Sequence, residues 1–144
     1  MIKLDKTITI KAPVEKVFNY FTEPTDLPEI WPSIVEVKDV KKLPNGGSAF
    51  HWVYKMAGMR FEGDSEPKEF VPNKHVIVEN KGGIPSTFDW TYQPEAGGTK
   101  LTVHAEYTVP VPLLGKLAEP FIVRLNENEM DTMLSNLKSR MELS

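Results

Sequence analysis

The chain contains no cysteine. Disulfides, thiol nucleophiles and cysteine-ligated metals are thereby excluded, and the composition fits a reducing compartment. It also lacks an excess of positive charge: 17 Lys and Arg stand against 20 Asp and Glu, a formal net charge of -3. The two signs are mixed along the chain, with no long block of either. Nucleic acid and anionic membrane surfaces demand clustered Lys and Arg, so neither is expected as the main partner. No apolar run approaches the roughly 20 residues of a membrane helix. The opening "MIKLDKTITIK" carries lysines where a signal peptide would carry an apolar core. The expectation is a cytoplasmic protein with no integral membrane association.

Catalytic signatures are missing too. "NGG" and "AGG" suit hairpin turns and do not follow the phosphate-loop patterns. No G-x-S-x-G elbow is present. His51, His75 and His104 lie far apart without metal-ligand spacing, and strand parity puts all three on the solvent side. Nothing in the sequence asks for a cofactor or a metal.

What is present is a balanced globular composition, 40% hydrophobic and 26% charged over 144 residues. That length suits a single domain over 1–144, one that buries about 68–70% of its unfolded surface. Ile2, Leu4, Ile8 and Ile10 alternate with polar residues, which predicts a half-buried strand. "APVEKVFNYF" follows with a helical stripe of Val14, Val17, Phe18 and Phe21 and with Pro13 at a first helical position. "TDLPEIWP" reads as a second short helix capped by Thr25. Strands are expected at 34–42, 48–56, 59–71, 74–81, 86–93 and 100–109, joined by short turn signals that make the sheet antiparallel. "PVPLLG" at 110–115 is a stiff linker, and a helix runs from about 118 to 142.

The expected inner face is aromatic. Parity puts Phe50, Trp52, Tyr54 and Met56 on one side of their strand, and likewise Phe88, Trp90 and Tyr92. Val103, Ala105 and Tyr107 follow on the last strand. Buried Trp and Tyr each carry a polar atom that needs a partner, which favours a lumen over a dry core. For the acidic strand, a two-residue turn at "AG" sets Trp52 opposite Gly63 and Tyr54 opposite Phe61, with Glu62, Asp64 and Glu66 outside. One extra bulge residue would turn all three acids inward, at a high cost in an apolar lumen.

The C-terminal helix poses a question of its own. Set out at about 100° per residue, Val123, Met130, Met133, Leu134, Leu137 and Met141 share a face, and Asn126 falls inside it. Two readings stay open: Asn126 binds a neighbouring backbone group or buried water, or it faces a cavity and meets a ligand. The cavity-lining set expected from parity and helical phase is Trp52, Tyr54 and Phe61, then Val78, then Phe88, Trp90 and Tyr92, then Tyr107, with Ile122 and Asn126 from the helix.

Four stretches carry a resemblance: "ITIKAPVEKVFNYFTEPTDLPEIWPSI", "FEGDSEPKEFVPNKHVIVE", "GGTKLTVHAEYTVPVPLLGKL" and "LSNLKSRME". Together they make the chain resemble the polyketide cyclase/dehydrase-like family of the START/Bet v 1-like (SRPBCC) superfamily. The resemblance implies an α+β helix-grip fold, a curved seven-stranded antiparallel sheet wrapped around a long C-terminal helix. It implies a tunnel for a small hydrophobic ligand of lipid, polyketide or aromatic/isoprenoid type. It leaves open a cyclase, aromatase or dehydratase, or a protein-interaction module, and carries over no catalytic residue.

Overall fold

The computed structural model describes residues 2–109 and 119–143. The expected linker at 110–115 lies outside them, as does residue 118. The element order is β1 (Ile2–Ile10), α1 (Val14–Phe21), a 3-10 turn (Pro24–Asp26), α2 (Leu27–Ile30), β2 (Ile34–Lys42), β3 (Ser48–Met56), β4 (Met59–Val71), β5 (His75–Gly82), β6 (Ser86–Glu95), β7 (Gly98–Tyr107) and α3 (Glu119–Glu142). The strands form one antiparallel sheet in the order β1-β7-β6-β5-β4-β3-β2. Neighbours in sequence pair through tight turns, and only β1 crosses to the far side of β7.

The turns are built as their residues demand. Met56 pairs with Met59, and the two residues between them, Ala57 and Gly58, both have positive φ. That is the two-residue hairpin whose backbone twist matches the flanking strands. The register of β3 and β4 follows from it: Trp52 pairs with Gly63, Tyr54 with Phe61 and His51 with Asp64. Glu62, Asp64 and Glu66 are exposed on the outer face, so the inward-acid alternative is not adopted. His51 bridges two of the acids, with Nε2 at 3.0 Å from Glu62 and Nδ1 at 3.0 Å from Asp64. His75 and His104 also pair with outer-face carboxylates, Asp89 and Asp5 respectively.

Several local expectations change. Thr25 does not cap α2; its hydroxyl donates to Glu23, and the helix follows a 3-10 turn begun by Pro24. Pro13 stands one residue before α1 in an extended conformation. β4 is not one uniform strand, because its register with β5 shifts between Pro67 and Glu69. Proline has no N–H to give to a ladder, so a bulge is where a strand tolerates it. Beyond that bulge the inward parity changes, and Phe70 turns to the inside.

α3 closes the concave side of the sheet, packing on β1 and the short helices. Its second half is the seal: Met133 and Leu137 are fully buried, with Met130, Leu134 and Met141 nearly so. In the first half Ile122 is buried, whereas Val123, expected on that face, is only half-buried. Lys6 shares the inward parity of β1 and extends to the helix, its Nζ 3.1 Å from Asp131 and 3.9 Å from Glu127. This contact ties the edge strand to α3.

Candidate functional site

Sheet and helices enclose a cavity of about 190 Å³. A single water needs only roughly 10–15 Å³, so the space suits a molecule of many atoms. Aromatic rings make up much of its wall, among them Phe50, Trp52, Phe88 and Trp90 from the sheet and Phe21 and Trp31 from the helical side. The rings brace one another edge to face. Phe21 stands 4.6 Å from Trp90 and Trp31 stands 6.0 Å from Phe88, while Phe88 and Trp90 stack at 6.0 Å. Such contacts fix ring orientation and keep the wall from collapsing into the void.

A polar rung crosses the aromatic wall. Ser65 pairs with Asn80, Asn80 with Ser86 and Ser86 with Tyr107, so strand register alone brings four polar residues into one row. All four line the cavity. The Trp52 indole N–H donates to Asn80 Oδ1 at 3.2 Å, and the Asn80 amide donates to Ser86 Oγ at 3.0 Å. Tyr107 ends the row, and its buried hydroxyl has no partner among the described residues.

The facing helix adds Asn126 and Glu129, one helical turn apart on the same side. The Tyr54 hydroxyl donates to Glu129. Burial, the Glu129 charge and that bond all raise the Tyr54 pKa above its ordinary value. Burial, with the nearby charges of Glu127 and Glu129, pushes Tyr107 up to about 12. Asn126 Nδ2 lies 3.1 Å from Met56 Sδ, and its buried Oδ1 has no partner among the described residues. The Trp31 indole N–H is likewise unpaired among the described residues. Three unsatisfied polar atoms thus sit on residues that line one cavity. Buried polar groups are rarely left this way without a ligand or water to meet them.

Of the residues expected from the sequence, Trp52, Tyr54, Val78, Phe88, Trp90, Tyr92, Tyr107 and Asn126 line the cavity. Phe61 and Ile122 are buried but do not reach it. Phe61 pairs with Tyr54, which lines the cavity, but on β4 the cavity is lined only from Ser65 onward. Asn80 and Ser65 were legible as inward positions, since Asn80 shares the parity of Val76 and Val78 and Ser65 that of Gly63. Trp31 carried no such signal, because parity does not extend into a short helix. Among the described residues no group of three or more His, Asp or Glu converges as a metal site. None of their helices is long and apolar enough to cross a membrane.

A curved antiparallel sheet gripping a C-terminal helix over an aromatic cavity defines the Bet v 1/START-like class of fold. The chain belongs to the polyketide cyclase / dehydrase and lipid transport family, whose model matches residues 1–142. Among solved structures it is similar to the Zhui aromatase/cyclase from a Streptomyces species, with 14% identity, TM-score 0.83, and 98% of this chain and 93% of that one covered. It is also similar to a START superfamily protein from Mycobacterium smegmatis, with 16% identity, TM-score 0.81, and 98% and 97% covered. A protein from Thermus thermophilus shares 20% identity at TM-score 0.77, with 97% of both chains covered. At these identities the likeness speaks for the fold alone. Among curated proteins none matches the chain.

Proposed function

We propose that this protein binds a small, ring-bearing, largely apolar ligand in the cavity between sheet and α3. The observation that carries the reading is a void of about 190 Å³ walled by aromatic side chains, with unpaired Tyr107, Asn126 and Trp31 polar atoms on its lining. Apolar walls supply affinity, and a few unsatisfied polar groups supply orientation. The family's lipid-transport and cyclase members support a ligand of that general kind. A cytoplasmic setting belongs to the same proposal and rests on the sequence.

The test is mass spectrometry of organic extracts from the native protein, beside titration with the apolar fluorophore ANS. A ring compound in the extract, displaced by ANS, supports binding. An empty extract with no native-state ANS signal overturns it.

A second reading draws on the Tyr54–Glu129 pair. A carboxylate in an apolar cavity, with a tyrosine hydroxyl on one oxygen, is placed to take a proton from a bound carbonyl compound. That is the chemistry of a cyclase or dehydratase. Turnover of a poly-carbonyl substrate, lost in Glu129→Gln, would favour it over carriage alone.

A further inference from the structure

We propose that the cavity selects a ring-bearing amine, with Glu129, Asn126 and Tyr107 receiving its cationic nitrogen. This rests on the binding function proposed above and names the chemistry of the ligand's polar end.

The first observation is the charge inventory. Among the described residues lining the cavity, Glu129 is the only charged side chain; no Lys, Arg, His or Asp joins it. Lys6, which shares the inward parity of β1, is engaged outside the cavity by Asp131 and Glu127. None of the ion pairs among the described residues includes Glu129. A ligand carboxylate or phosphate would therefore enter beside an uncompensated negative charge, with no cation to offset its lost hydration. A cation gains from the same field.

The second observation is the hydrogen-bond inventory. The Tyr54 hydroxyl takes Glu129 Oε2, which leaves Oε1 free of any bond among the described residues. The Asn126 amide is oriented by its N–H contact with Met56 Sδ, since a thioether accepts weakly and donates nothing. Its Oδ1 is then a free, buried acceptor. Tyr107, only 6% exposed, adds a hydroxyl oxygen with no partner. An ammonium brings three donors and no acceptor, which matches a carboxylate, an amide carbonyl and a hydroxyl oxygen. A neutral alcohol meets one of these and leaves the charge unanswered. The rings of Trp52, Phe88 and Trp90 hold the apolar body, and their faces tolerate a neighbouring cation.

The experiment is calorimetric titration at neutral pH with three probes of one ring system: naphthylmethylamine, naphthylmethanol and naphthoate. The amine is expected to bind about tenfold to a hundredfold more tightly than the carboxylate, the range of a charge-assisted hydrogen bond, with the alcohol between them. Glu129→Gln, checked for folding by its melting temperature, should abolish the order. Glu119→Gln, at the exposed start of the same helix and outside the cavity lining, should keep it. A carboxylate that binds as tightly as the amine overturns the inference while leaving the binding function standing. So does an amine preference that survives Glu129→Gln. Absence of binding by all three probes overturns both. If Glu129→Gln does not fold, the order of the three probes on the unsubstituted protein decides the matter alone.

Discussion

Trp52 and Gly63 face each other across β3 and β4, and the indole occupies the space where a side chain at position 63 would stand. A Cβ there would lie 2.9 Å from Trp52 Cη2, and closer still to Cζ2 and to the Lys81 carbonyl oxygen. The glycine is thus required by space, since its φ lies outside the left-handed range. Displacing the indole would also break its bond to Asn80 and so disturb the polar rung.

Gly63→Ala is therefore expected to destabilise the fold by about 1–3 kcal/mol, the usual cost of overpacking. Denaturant melts measure this. Unchanged stability would show that the sheet absorbs the methyl group by a backbone shift.

Tyr54 and Tyr107 make a paired test of the polar end. Tyr54→Phe removes the donor to Glu129 and leaves a carboxylate oxygen unpaired, for an expected loss of about 1–3 kcal/mol. Tyr107→Phe removes a hydroxyl that already lacks a partner, so its stability should stay level or rise. Thermal melts of both variants without ligand give the comparison, and equal losses would contradict it.

Asn126→Leu separates tether from contact. A tether would leave its former partner unpaired at about 1–3 kcal/mol. Among the described residues its one bond is to a thioether, and Oδ1 has no partner. The melting temperature should stay level or rise while probe binding weakens. Marked destabilisation with unchanged binding would make Asn126 a structural residue.

The four tyrosines predict alkaline behaviour. Tyr20 and Tyr107 are each raised to about 12, chiefly by burial, and Tyr54 and Tyr92 are raised as well. Each folded value lies above the unfolded value of about 10, so the stabilisation is complete below that pH and is lost as pH rises through the folded pKa. Phenolate absorbance should stay silent near pH 10 and then appear together with unfolding. Ionisation of a native phenol near pH 10 would contradict the burial of that ring.

Side-chain alternation and turn chemistry are local, and they are why so much could be read from the chain alone. The sequence left two registers open at Met56–Ala57–Gly58–Met59, and the two-residue hairpin that forms fixes which face Trp52, Gly63 and Asp64 take. The antiparallel meander, the outward histidines and the aromatic inner face follow from two-residue periodicity, and the outward acids from the turn. The apolar seal from Met130 to Met141 follows from helical phase in the same way. What periodicity does not contain is depth. Phe61 shares a face with Trp52 and pairs with Tyr54, yet only the latter two meet the cavity, because that depends on how the helices sit over each strand. The Pro67 bulge turned Phe70 inward, and the α2 position brought in Trp31. Tyr54 and Glu129 stand 75 residues apart in sequence and meet only once the sheet has curled and α3 has docked. Their juxtaposition, like the row from Ser65 to Tyr107, sums the register of several strands with the placement of one helix. No local signal encodes that sum; packing decides it.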